Sequence, residues 1–157
     1  MATHANAELI ARFYAAFDAR DGATMAASYA PDATFSDPVF VDLANGEPGA
    51  MWQMLTARAK DLSVELVESA ADDTTGSARW VARYTFAETG RPVVNDVRAT
   101  FRFRDGLIAE HRDSFPFHRW SRQALGLPGL LLGWTPLLKG AVRRKARAGL
   151  AAWQARG

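Results

Sequence analysis

Two short stretches of the chain carry residue types that can move a proton. From Leu107 to Phe115 the residues alternate so that Leu107, Ala109, His111, Asp113 and Phe115 share one face. An imidazole and a carboxylate therefore stand where two more aliphatic side chains would complete an apolar stripe. At a rise of ~3.3 Å per residue their Cα atoms lie about 6.6 Å apart, so both can touch one bound molecule. The second stretch is ATFSDPVF, Ala33 to Phe40, where the same period puts Asp37 on the side of Phe35. It is Asp113 that is expected to lose hydration, in a pocket walled by Phe35, Phe101, Phe103 and Phe115, which favours the neutral form of a carboxyl and lets it exchange protons near neutral pH. Each residue also has a plainer reading. Asp37 precedes a proline and can cap a turn by accepting backbone N–H bonds. His111 and Asp113 can form a structural pair, or Asp113 can answer Arg112 or Arg119 at the surface. No ligand-spacing motif joins these residues, and His4 and His118 are peripheral, so no metal is expected.

The elements that must position these residues follow from local pattern. Asn95 to Phe117 reads as a hairpin about Arg104-Asp105-Gly106, since Asp-Gly between two alternating runs favours a tight turn. Its first run puts Val97, Ala99, Phe101 and Phe103 on one face. Asn6 to Arg20 is an amphipathic helix with Leu9, Phe13, Ala16 and Phe17 inward, Asn6 as N-cap and Asp21-Gly22 closing it. Ala23 to Tyr29 reads as a short second helix stopped by Ala30-Pro31. Gly46-Glu47-Pro48 opens a third, lined by Met51, Trp52, Leu55 and Ala59. Leu62 to Ala71 and Ala78 to Glu88 are further strands, with turns at Asp72 to Gly76 and Thr89 to Pro92. Helices followed by an antiparallel meander predict an α+β fold with helices packed on one face of a curved sheet.

The length of 157 residues suits one domain with a single core. The chain has no cysteine, which excludes disulfide and thiolate chemistry. The N-terminal MATHANAEL lacks the basic and apolar regions of a secretory signal, so a cytoplasmic location is expected. Charge is unevenly spread. His118 to Gly157 holds eight Lys or Arg and no acid, leaving eleven basic against seventeen acidic residues, a balance of −6, in 1–117. Past a break at Gly126 to Gly129, Thr135-Pro136 starts a last helix with Leu138, Val142, Ala146, Gly149 and Trp153 on one side and Lys139, Arg143 and Arg147 opposite. This basic extension can pack over the rest of the fold or a partner subunit, or make a peripheral membrane contact through residues 129–155. Nothing in it matches a nucleic-acid recognition motif, so no nucleic acid is expected. No apolar run approaches the roughly 18 residues of a spanning helix.

FYAAFDARD, ATFSDPVF and FRFRDGLIAEHRDSF, in that order and spacing, resemble the nuclear transport factor two-like superfamily, and within it the ketosteroid isomerases and SnoaL-like polyketide cyclases. The resemblance spans roughly residues 6–117. It implies a cone-shaped roll of N-terminal helices on a strongly bent antiparallel sheet, residues 1–117, with 118–157 as a helical extension packed on it. It also implies an apolar pocket, lined here by Phe13, Phe35, Trp52, Val97, Ala99, Phe101, Phe103 and Phe115, and a homodimer through the outer sheet face. Asp37 matches the isomerases' general base. Their oxyanion hole is a tyrosine and a protonated aspartate, matched here by Phe13 and Ala99, so both donors are missing. Tyr14 is turned about 100° from Phe13 and does not replace the tyrosine. Asp113 resembles the catalytic aspartate on the cyclases' last strand. The expected function is proton transfer on a small apolar carbonyl or polyketide-like substrate, without cofactor. Asp37 or Asp113 is the base and His111 the donor to the oxyanion. The alternative is a noncatalytic module holding an apolar ligand or partner protein in the same cone.

Overall fold

The computed structural model describes residues 4–156. Helix α1 (Ala5–Asp18) is capped by His4, whose side chain accepts from the Asn6 N–H, two residues earlier than the expected cap. Asn6 is buried instead, and its amide donates to the carbonyls of Asp72 and Asp73, tying α1 to a strand turn. Asp21 caps α2 (Gly22–Ala27) by accepting from the Thr24 N–H. This second helix stops short of Tyr29, because the residues before Pro31 favour extended backbone. Tyr29 begins β1 (Tyr29–Ser36). Helix α3 (Glu47–Arg58) starts where proline near the first turn placed it. Strands β2 (Ser63–Ala71), β3 (Thr75–Phe86), β4 (Arg91–Arg104) and β5 (Leu107–Ser114) follow, then α4 (Phe117–Leu125), α5 (Leu127–Leu132) and α6 (Pro136–Arg156).

The four later strands form the expected antiparallel meander, and the Asp105-Gly106 turn between β4 and β5 has positive φ at both residues, as a primed hairpin turn requires. The full sheet has the order β1-β5-β4-β3-β2. Its first strand is the departure from the sequence reading: β1 lies parallel to β5, making the sheet mixed. Register shifts interrupt the β1–β5, β2–β3 and β4–β5 ladders, and such irregularities bend and twist a strand locally.

One core fills the concave side. Phe13 from α1, Phe35 from β1, Trp52 from α3 and Val97, Ala99, Phe101 and Phe103 from β4 are all buried in it. A second, smaller cluster of Val93, Phe117, Trp120 and Ala124 seats α4 on β4, with Val39, Tyr84, Phe115 and Val142 packed against it. The chain break expected at Gly126 is a reversal: Gly126, at φ 72°, turns α4 directly into α5. Gly129 then lets α5 lie on α4, since a Cβ there would sit 2.0 Å from the Ser121 carbonyl oxygen. Helix α6 buries Leu150 and packs Ala146 and Trp153 on the main core. Its arginines are not simply solvated. Arg143 donates to the Pro38 carbonyl and Arg147 pairs with Glu47, while Lys145 pairs with Glu88.

Candidate active site

A register shift breaks the alternation at the start of β5, so Ile108 rather than Leu107 or Ala109 is the fully buried residue there. From Glu110 on, the period of β5 turns His111 and Asp113 inward, and both are almost wholly buried. They face Phe101 and Ala99 across the ladder. The two side chains are joined, with His111 Nε2 2.8 Å from Asp113 Oδ1. The other ring nitrogen, Nδ1, lies 2.7 Å from the Tyr29 hydroxyl, and the Trp52 indole N–H donates to that same hydroxyl at 2.7 Å. An indole nitrogen can only donate, which makes the Tyr29 oxygen the acceptor and leaves its single proton for Nδ1. The imidazole proton then belongs on Nε2, directed at Asp113, an assignment that gives the Trp52, Tyr29 and His111 donors one acceptor each. Four residues from β1, α3 and β5 thus form one polar relay ending on a carboxylate.

The relay is sealed. Phe101, Phe35, Phe13, Tyr29 and Trp52 surround the His111 ring at centroid distances of 4.4, 4.8, 5.8, 6.0 and 6.3 Å. Both imidazole nitrogens are engaged, so His111 holds Asp113 in place and has no free N–H to offer a ligand. Burial drives the Tyr29 phenol well above its usual pKa, despite the opposing Trp52 hydrogen bond, and keeps it a proton donor.

Asp37 lies just beyond β1, which ends at Ser36. It shares no strand with Phe35. Its Oδ1 accepts from the N–H groups of Val39 and Phe40 at 2.7 and 2.6 Å, and its own N–H donates to the Phe40 carbonyl. The turn-capping role is therefore real, but it does not keep the carboxyl acidic. Loss of hydration outweighs both backbone hydrogen bonds and, with the Asp113 charge adding to it, pushes the Asp37 pKa up to about 7. Arg143 on α6 opposes the rise only weakly. Tyr84 is near enough for the Asp37 charge to help raise its phenol, and it accepts from the Trp120 indole at 2.9 Å. Asp37 and Asp113 thus influence one another where the extension covers the cone's open end.

Tyr14 lies in the interior beside the face of α1 read as inward. It is 2% exposed, packed beside Phe13 and Trp80, and its hydroxyl has no hydrogen-bond partner among the described residues. The Trp80 indole N–H is likewise buried and unpaired. Burial and the nearby Asp113 charge raise the Tyr14 pKa well above the ordinary phenol value. Tyr14 is buried although it lies one helical step from Phe13, because α1 is buried over a wide arc from Asn6 to Phe17. Nothing in the sequence singled out Tyr29, which ended the expected second helix.

The residues expected to line a pocket are the packing of the cone itself. Phe13, Phe35, Trp52, Val97, Ala99, Phe101 and Phe103 are all under a tenth exposed, and Phe115 is half-buried between the two clusters. Two cavities lie elsewhere. One of about 220 Å³ runs between α2, the start of β1 and α3, with Tyr29 and Gln53 on its wall. Another, of about 50 Å³, lies between Val39, Leu43 and the α6 arginines Arg143 and Arg147. Among the described residues, no three His, Asp or Glu side chains gather closely enough to hold a metal ion.

Solved structures share this fold. A protein from Catenulispora acidiphila with a ketosteroid isomerase-like fold, in complex with trimethylamine, superposes with a TM-score of 0.67 at 19% identity, over 82% of this chain and 98% of that one. IdmH, a candidate polyketide cyclase from Streptomyces antibioticus, gives 0.63 at 26% identity, over 79% and 100%. An LEH-like epoxide hydrolase from M. tuberculosis gives 0.65 at 19%, over 83% and 97%. No curated protein matches the chain. The SnoaL-like domain profile matches residues 10–111, which runs from α1 to the inward histidine of β5. By fold and by sequence, then, the chain belongs to the SnoaL-like family within the nuclear transport factor two-like superfamily.

Proposed function

We propose that the chain is a proton-transfer enzyme of the isomerase, cyclase or dehydratase kind, acting on a small apolar carbonyl or polyketide-like substrate. The observation that carries this reading is the pair of buried, unpartnered donors, Tyr14 Oη and Trp80 Nε1, in the same interior as Asp113. Buried donors without partners are rare and costly. Two together, beside a carboxylate, suit an oxygen that gains negative charge during reaction. Asp37, with its pKa pushed up to about 7, is the base that takes the proton from carbon. Asp37, once protonated, gives that proton back to the product, Asp113 orients the substrate, and His111, Tyr29 and Trp52 are positioning residues that fix Asp113. Fold relatives that include a candidate polyketide cyclase and an epoxide hydrolase are in keeping with this chemistry. Because the interior is filled, a substrate enters only when the α4–α6 cover over Asp37 shifts.

A panel of steroids, terpenoids, polyketide-like aromatics and fatty acids tested by thermal shift finds the ligand. A compound at 100 times its dissociation constant adds about 2.7 kcal/mol, a rise of several degrees. Turnover of a hit that drops by about two to four orders of magnitude in Asp37→Asn, and by about tenfold or more in Tyr14→Phe, supports the assignment. Undiminished turnover in both would end it.

The filled cone favours one second reading, a noncatalytic module that binds an apolar ligand or a partner protein. A ligand that stabilises the protein but is recovered unchanged, with no dependence on Asp37, is its signature.

A further inference from the structure

The basic extension covers the cone with one side and turns a dense apolar face outward. Within positions 127–137, Leu127, Leu130, Leu131, Leu132, Trp134 and Leu137 are all exposed, Trp134 by 74% and Leu137 by 78%. This is no poorly folded stretch. Its backbone is bonded as α5 and the turn into α6, and Thr135 caps α6 by accepting from the Leu138 N–H. The Trp134 indole N–H donates to the Leu131 carbonyl at 3.0 Å, so the ring's one polar atom is satisfied internally and its apolar faces stay outside. Contiguous exposed apolar surface of this kind marks an interaction site.

Charge selects the occupant. No acidic residue occurs from His118 to Gly157. Arg143, Lys145 and Arg147 are used to hold α6 to the body. Arg119 and Arg122 on α4 and Arg144 on α6 are exposed and make no ion pair among the described residues. They flank the apolar face in sequence on both sides. A second copy docking through the same face would set two such acid-free cationic surfaces against each other, which like-charge repulsion disfavours. The rest of the chain, with its excess of acids, is repelled by an anionic surface, so the uneven charge also orients the molecule.

We propose that residues 127–137, with the flanking arginines, dock on the surface of an anionic lipid bilayer. Trp134 and the leucines enter the headgroup and acyl boundary while Arg119, Arg122 and Arg144 meet the anionic headgroups. The contact is peripheral; no helix of the described residues is long and apolar enough to cross a membrane. This inference does not depend on the catalytic reading, since it uses none of its residues.

The test is sedimentation of the full chain with vesicles of phosphatidylcholine alone and of phosphatidylcholine mixed with phosphatidylglycerol. Binding to the mixed vesicles only, weakened several-fold by added salt, is expected. A Leu131→Asp, Trp134→Asp double variant, exposed at both positions and so free to fold, loses about tenfold or more of that binding. An unchanged melting midpoint checks its fold, and Arg119→Gln with Arg122→Gln gives a second variant with the same expectation. Absence of binding by the wild type, or equal binding by the variants, overturns the proposal. Light scattering that shows a dimer for the wild type and a monomer for the Asp variant overturns it as well, by assigning the face to a second copy.

Discussion

The Tyr29 hydroxyl and His111 Nδ1 meet at 2.7 Å although 82 positions separate them in the chain. The contact exists because β1 lies parallel to β5, with Phe35 opposite His111 in the register. Tyr29 saturates two groups at once, the Trp52 indole and the imidazole. Tyr29→Phe strands both in a dry interior. The expected cost is about 2–4 kcal/mol by urea unfolding, and a double-mutant cycle with Trp52→Phe shows a coupling of about 1 kcal/mol or more. Additive single effects would mean that the relay is not formed in solution.

His111 and Asp113 are predicted to behave as one unit. His111→Phe leaves the Asp113 carboxylate buried with its imidazole partner gone, and breaking a buried pair in this way costs about 3–5 kcal/mol. Adding Asp113→Asn or Asp113→Leu to His111→Phe recovers part of that loss, because the stranded charge is removed. A double variant no more stable than His111→Phe alone would contradict the pairing.

Asp37 sets a pH dependence whose sign can be worked out. Its native pKa of about 7 lies above the roughly 3.9 of an unfolded aspartate. Between these values the native state holds a proton that the unfolded state has released, so this group's contribution is greatest below pH ~4 and declines up to pH ~7. A loss on the order of 2–4 kcal/mol across that window is expected. In Asp37→Asn the slope disappears while the turn survives, since the Asn oxygen still accepts from Val39 and Phe40. Stability curves from pH 4 to 8, in ~1-unit steps, provide the check. A wild-type profile parallel to that of the Asn variant would refute the raised pKa.

The same ionisation should appear in catalysis. For a base active as the carboxylate, kcat/KM rises about tenfold per pH unit below a pKa near 7 and levels above it. Deletion of that limb in Asp37→Asn identifies the residue responsible.

Gly129 controls the cover. Replacement by Ala would place a methyl 2.0 Å from the Ser121 carbonyl oxygen, a backbone atom with little room to yield. Gly129→Ala should detach α5 from α4 and leave the cone folded. Chymotrypsin would then cut faster within residues 127–137, while the far-ultraviolet spectrum changes little. Protection equal to that of the wild type would show that α5 does not lie on α4 as described.

Much of this fold could be read from the residues in order. Alternation in β4 and β5, the Asp-Gly turn between them, and proline at the start of α3 and α6 act over a few positions, so local pattern fixed those elements, and it turned His111 and Asp113 inward. The amphipathic face of α1 likewise declared Leu9, Phe13 and Phe17 as core. What local pattern could not supply was partnership. Nothing near Tyr29 indicates a strand laid parallel to β5, so the phenol that completes the relay looked like the end of a helix. The burial of Tyr14 depends on the curved sheet wrapping a wide arc of α1, which a single helical face does not reveal. Asp37 was legible as a turn cap and as a carboxylate near aromatic rings, yet its raised pKa depends on the hydration it loses in the folded chain and on the Asp113 charge. Side-chain period is a property of neighbours in sequence. Hydration, pairing and charge at a buried group belong to neighbours in space, and those were decided only when the sheet and the basic extension closed over the same end of the cone.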